Sequence, residues 1–277
     1  MDLRQFRATP TQVEAAAKHL RYQPFVLDDD RHTGAAYSWL YTSDPASAGD
    51  HSFLFDRRIV SADVWTKAYD ANRQLAAMYD SFIERIVDIC PLGGSYLDVG
   101  CNTGYFPVRA SLSGIPTTVG IDLGDYTSAL QLLNEITGAS ARFSVGRHDP
   151  STHSIRVNGN LGAEKFDVVS TSQVLCHLPD PLHFLTALAR LASRGIFIWG
   201  TFKETEELLI HYNPPNRFTN AEFPNGFDEG TVISIGLLLL SMSKLGFSHH
   251  EEIKMTPDWM PEYWMGPAEL HAFLFWR

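Results

Sequence analysis

Apolar positions along the chain follow two periods. Between residues 65 and 87 they recur every three or four residues, at Trp65, Ala68, Tyr69, Leu75, Met78, Tyr79, Phe82, Ile83, Ile86 and Val87. That spacing is one buried face of a long helix, and Ser61 stands where its N-cap belongs. Further on, short apolar runs alternate with helical stretches. Strands are predicted at 96–99, 117–122, 142–145, 166–170, 195–200, 247–255 and 269–276. Helices are predicted from Tyr105, over 128–137 up to Gly138, over 182–191 behind Pro181, and over 231–245 up to Gly246. Strand alternating with helix is the pattern of a parallel α/β sheet. Ahead of it, Thr11 with Glu14 three residues later suits a capping box for a helix over 11–20.

The sharpest feature is Ser95-Tyr-Leu-Asp-Val-Gly-Cys-Asn-Thr-Gly-Tyr-Phe106. An apolar run breaks at a turn with glycine at 100 and 104, and a helix follows. Such a turn is expected to present backbone N–H groups and a helix N-terminus to a ligand. It fails the dinucleotide pattern G-x-G-x-x-G, which needs glycine at Asn102 and Tyr105. Asp98, two residues before the first glycine, suits a ligand with a cationic end better than a pyrophosphate. Asp122 ends the next strand, 22 residues past Gly100, where a carboxylate can accept from ribose hydroxyls.

A third stretch is Phe166-Asp-Val-Val-Ser-Thr-Ser-Gln-Val-Leu-Cys-His-Leu-Pro-Asp-Pro181. With the first turn and Asp122, it resembles the class I S-adenosylmethionine-dependent methyltransferases. Asp98, Gly100 and Gly104 match the first motif of that family, with Asn102 in place of its middle glycine. Phe166, Asp167, Val174, Leu175, His177 and 178–181 match its fourth-strand motif, with Cys176 replacing a histidine. The resemblance covers about 96–277. It implies a Rossmann-like fold: a seven-stranded, mostly parallel, doubly wound sheet whose last two strands are antiparallel, here with an N-terminal helical and aromatic cap. The implied cofactor is S-adenosyl-L-methionine, held by Asp98, Gly100, Cys101, Asn102, Gly104, Tyr105, Asp122, Leu123 and Gln173. Asp149, after the third strand, is the candidate for the adenine amino group.

Two domains are expected: a cap or lid over 1–90, and the catalytic domain over 91–277 with a substrate-side insertion at 201–230. That insertion carries Pro214, Pro215 and Pro224 among several aromatics, too aromatic for a disordered linker. Candidate acceptor contacts are Tyr37, Trp39, Trp65, Tyr69 and Tyr212. His177 is the first candidate general base and His211 the second. Arg31, Arg57 and Arg58 are candidates for holding an anionic group on the acceptor.

Composition narrows the partners. Of 277 residues, 44% are apolar and 19% charged, and the net charge is −10. An acidic chain with no basic run argues against a broad nucleic-acid surface. The three cysteines have no metal-ligand spacing, so no metal site is expected. No signal core opens the sequence, and no apolar run is long enough to span a bilayer. The expectation is a cytoplasmic methyltransferase of secondary metabolism, with no membrane partner, acting on a small molecule at oxygen. Monomer and homodimer are both left open. The competing readings are a transferase modifying the tRNA wobble uridine, a non-catalytic S-adenosylmethionine-binding subunit and, weakest, an NAD-dependent oxidoreductase.

Overall fold

The computed structural model describes residues 1–36, 53–157, 165–212, 231–255 and 269–277. Helix α1, Pro10–His19, is capped by Thr9. The capping box is Thr9 with Gln12, not Thr11 with Glu14, because Pro10 takes the first helical position, where a missing N–H costs nothing. Strands β1, Arg31–Thr33, and β2, Leu54–Asp56, form an antiparallel ribbon. Helix α2, Ala62–Ile89, is the long amphipathic helix, and the Ser61 side chain caps it by accepting from the Val64 N–H. Its inward face buries Leu75, Met78, Phe82, Ile83 and Ile86 almost completely.

The sheet is built from β3, Ser95–Val99; β4, Thr117–Asp122; β5, Arg142–Asp149; β6, Ser154–Val157; β7, Phe166–Ser172; β8, Ala192–Lys203; β9, Ile210–Tyr212; β10, Thr231–Ser234; β11, His249–Ile253; and β12, Glu269–Trp276. The order along the main path is β11-β12-β8-β7-β3-β4-β5-β6. Strands β8, β7, β3, β4 and β5 are mutually parallel. Strand β12 runs antiparallel between β8 and β11. Strand β10 pairs in parallel with the end of β8, and β9 pairs antiparallel with β10.

Between the strands lie α3, Tyr105–Leu112; α4, Thr127–Thr137; α5, Pro181–Leu191; and α6, Ile235–Lys244. Alternate strand residues feed two cores. Tyr96, Val168, Phe197 and Trp199 pack on the face covered by α2, α3 and α4. Leu97, Val169, Ile196 and Ile198 pack on the face covered by α5 and α6. Burial on both faces explains why these strands read as continuous apolar runs.

Several expectations change. The sheet has ten strands among the described residues, because β6, β9 and β10 join the seven expected. The third predicted strand does not end at 145: β5 continues through 146–149 and turns back as β6. Residues 231–234 are strand, not helix. They are fully buried beside β8, and Ser234 then caps α6. Within 201–212, residues 201–203 end β8 and 210–212 form β9, while 213–230 lies outside the described residues. Residues 1–27 pack Met1, Leu3, Leu20, Phe25 and Leu27 into the same core as α2 and the sheet.

Candidate active site

The chain runs β3, β4, β5 outward on one side of β3, then crosses back to place β7 on the other side. Loops leaving β3 and β7 therefore diverge, and the crevice between them is the expected ligand position. A cavity of about 580 Å³ opens there, walled by the ends of β3, β4, β5, β7 and β8. Gly100, Asp122, His148, Gln173, His177 and Trp199 mark its circumference.

The turn after β3 needs its glycines. Gly100 has φ +84°, and a Cβ there would sit 2.2 Å from Val174 Cγ2. Gly104 has φ +95°, and a Cβ would sit 2.2 Å from Leu130 Cδ1. Asn102 also has positive φ, 49°. Asparagine tolerates that left-handed conformation better than most residues, which is why it can stand where the family motif has glycine.

Every backbone N–H from 100 to 105 already has an acceptor within the chain. Gly100 and Cys101 donate to the Ile121 carbonyl, and Gly104 to the Cys101 carbonyl. Asn102 donates to Asp122 Oδ2 at 2.7 Å and Thr103 to Asn102 Oδ1 at 2.7 Å. Tyr105 donates to Gln23 Oε1 at 2.8 Å. The expectation that this turn offers free N–H groups is therefore corrected. A phosphate would find its donors occupied, which counts against a dinucleotide.

Carboxylates lie beneath and beside the turn. Asp98 is 1% exposed. Its Oδ1 accepts from Ser170 Oγ at 2.6 Å, and its Oδ2 has no partner. Burial, with a smaller contribution from Asp122, pushes the Asp98 carboxyl up to about 7. Asp122 is raised by burial too, against the pull of backbone N–H groups from Asn102, Gly124 and Leu123. Leu123, 63% exposed, forms part of the cavity wall.

On the β7 side, Gln173 holds φ +56°, and its Nε2 is buried without a partner. A left-handed non-glycine residue beside a cavity is stored strain of the kind found at functional sites. His177 follows in a short 3-10 turn at the cavity rim. The protein around its imidazole lowers its pKa, so the ring is neutral at pH 7.

Other expected residues lie elsewhere. Cys101 and Tyr105 belong to the turn, but their side chains are fully buried and outside the cavity wall. Cys101 packs against Gly120, and Tyr105 Oη donates to Asp80. Asp149 does not line the cavity: Ser151 and Arg156 hold its carboxylate at the β5–β6 hairpin. Its neighbours Arg147 and His148 line the cavity instead, because β5 keeps its strand twist past residue 145.

Trp65 and Tyr69 stack on each other at 4.8 Å in a cluster with His32, away from this cavity. His211 and Tyr212 are exposed on β9 and do not line the cavity. Tyr37 and Trp39 lie outside the described residues. Arg31 is paired with Asp28 and Glu14, Arg58 with Asp56, and Arg57 lies over the Trp65 ring.

Sequence reasoning missed Tyr22, Gln23, Phe106, Tyr126 and Phe184 as cavity residues, and saw Tyr79 and Trp199 only as core. Tyr22 and Gln23 stand in an irregular segment with no periodicity to flag them. Among the described residues no His, Cys, Asp or Glu group could hold a metal ion, and none of the three cysteines forms a disulfide. No described helix is long and apolar enough to cross a membrane.

A family model described as a methyltransferase domain matches residues 69–228, more than half of the chain. The chain belongs to that family. Sequence relatives include ubiquinone biosynthesis O-methyltransferases. The one from Hahella chejuensis is 34% identical over 103 residues, covering 37% of this chain and 40% of the relative. The one from Neisseria meningitidis is 26% identical over 159 residues, covering 54% and 62%. The matches thus span less than two thirds of those relatives' length.

Solved structures with the same methyltransferase fold include two at low identity. The N-terminal domain of EvdMO1, crystallised in the presence of SAH and D-fucose, has a TM-score of 0.53 at 14% identity, covering 72% of this chain and 82% of its own. Magnesium protoporphyrin IX methyltransferase from Synechocystis PCC 6803, with bound SAH, has a TM-score of 0.50 at 18% identity, covering 80% and 91%.

Proposed function

We propose that this chain transfers a methyl group from S-adenosyl-L-methionine to an oxygen of a small aromatic or apolar acceptor. The observation that carries the reading is the turn after β3: its donors are spent internally, and a buried carboxyl oxygen of Asp98 beneath it has no partner. That combination suits a ligand without phosphates and with cationic groups. The about 580 Å³ cavity has the size of a cofactor site, and the family's sequence relatives carry an O-methyltransferase name. The aromatic rings of Tyr22, Tyr79 and Trp199 on the cavity wall favour a planar or apolar acceptor, and aromatic faces also suit a cation.

The residues fit the cofactor. Asp122 has lone pairs left for ribose hydroxyls, Leu123 offers an apolar edge to the base, and Gln173 offers its carboxamide to the amino-acid end. S-adenosyl-L-methionine supplies a methyl group already activated on a cationic sulfur. The chain's task is then alignment and exclusion of water, where effective molarity is worth up to roughly 7–11 kcal/mol in ideal cases. His177, neutral at the rim, takes the acceptor's hydroxyl proton on a ring nitrogen as the oxygen gains its methyl.

The test is calorimetric titration with S-adenosylmethionine and S-adenosylhomocysteine, followed by product release on a panel of phenols, aliphatic alcohols and tRNA. Micromolar binding that disappears in Asp122→Ala, with turnover on a phenol, is the expected result. Turnover on tRNA alone would replace the small-molecule acceptor. Absence of binding to either ligand would remove the whole reading.

A further inference from the structure

We propose that Gln23 is a positioning residue for the cofactor turn, so that seating of the N-terminal segment and cofactor binding are coupled. The inference rests on the S-adenosylmethionine reading above. It starts from the beginning of α3. The N-cap of that helix is Gly104, which has no side chain to cap it. The cap comes instead from 82 residues upstream, where Gln23 Oε1 accepts from the Tyr105 N–H at 2.8 Å. The same oxygen accepts from Thr103 Oγ1 at 2.9 Å, and Gln23 Nε2 donates to the Cys101 carbonyl at 3.2 Å.

The orientation of the carboxamide is fixed by its partners. A backbone N–H can only donate and a carbonyl can only accept, so a flipped amide would lose both contacts. One side chain, 7% exposed, thus clasps three successive alternate positions of the turn, 101, 103 and 105. Gln23 is itself held, since its carbonyl accepts from the buried Thr33 Oγ1 at 2.7 Å. The adjacent Tyr22 lines the main cavity and meets Phe53 edge-on at 5.5 Å. Both residues of the 22–23 dipeptide therefore line the ligand cavity, and Gln23 holds the turn as well.

Without Gln23 the turn keeps its glycines but loses its outer brace. Two polar groups, the Tyr105 N–H and the Thr103 hydroxyl, lose a buried acceptor, and the left-handed Asn102 conformation has less to hold it. A looser turn binds ligand less tightly because ordering it is charged to binding.

The experiment uses the full chain with four proteins: wild type, Gln23→Met, Gln23→Glu and Leu274→Ala. Leu274 is a fully buried residue of β12, remote from the turn, and provides a matched loss of Tm. The readouts are amide hydrogen exchange at Tyr105 without ligand, and S-adenosylhomocysteine affinity by calorimetry. Gln23→Met is expected to speed Tyr105 exchange at least about tenfold and to weaken binding about tenfold. Gln23→Glu keeps an acceptor for Tyr105 and Thr103, so it restores Tyr105 protection and part of the affinity. Leu274→Ala lowers Tm but leaves affinity unchanged. The inference is overturned by wild-type affinity in Gln23→Met, or by equal weakening in Leu274→Ala. Failure of wild type to bind would overturn the functional reading as well, and the exchange data would then still report whether Gln23 braces the turn.

Discussion

Asp98 carries a cost that can be measured. Its carboxyl is raised from 3.8 to about 7, chiefly by burial. A carboxyl raised on folding binds more protons in the native state than in the unfolded chain between those two values. Stability must therefore fall as pH rises through that window. At about 1.4 kcal/mol per pH unit, the gap amounts to about 4 kcal/mol, of which roughly 3 kcal/mol is lost between pH 5 and pH 8. Asp98→Asn is nearly the same shape, keeps an acceptor for Ser170 and cannot ionise. Urea unfolding of both proteins at pH 5, 6, 7 and 8 gives the difference in stability at each pH. Subtracting the two curves removes the titrating groups not coupled to Asp98, including the buried Met1 amine, which is lowered to about 5 and slopes the other way. The expected difference changes by about 3 kcal/mol in favour of the asparagine variant as pH rises. A difference flat to within about 0.5 kcal/mol would refute the account of Asp98 as a desolvated acid.

Three further outcomes follow from the same geometry. Gly100→Ala places a methyl 2.2 Å from Val174 Cγ2 at φ +84° and should cost roughly 2–4 kcal/mol, with binding lost; Gly100→Ala combined with Val174→Ala should recover the clash part only, as read by thermal unfolding and calorimetry. Asn102→Gly should stay within about 1 kcal/mol of wild type and still bind S-adenosylhomocysteine, whereas Asn102→Val, a β-branched residue at φ 49°, should be destabilised and fail to bind. His177→Gln should lower kcat about a hundredfold or more on a phenolic acceptor with little change in KM for the cofactor, and an unchanged kcat would exclude it as the base.

The central fold was legible because its signals are local. The runs 96–99 and 117–122 are buried on both faces, and the turn at 100–104 is punctuated by residues that the backbone conformation demands. Gly100, Asp122, Gln173 and His177, singled out from the motifs, line one cavity. What failed was set by tertiary partners. Residues 231–234 look helical with the leucines that follow, yet they pair with β8 and β9. Trp65 and Tyr69 are aromatic residues near a helix start, but a stacked cluster with His32 absorbs them. Asp149 sits at the end of a strand that runs on into a hairpin, just beyond the residues 146–148 that line the cavity. Gln23 left no trace in the sequence, since a single glutamine capping a helix 82 residues away has no periodic signature.

That clasp also orders events during synthesis. Leu20, Phe25 and Leu27, which end up fully buried, leave the ribosome well before the strand and turn that cover them. At roughly 5–20 residues per second, the 82 residues from Gln23 to Tyr105 take on the order of ten seconds to make. Over that interval the leading segment has greasy side chains and no place to put them.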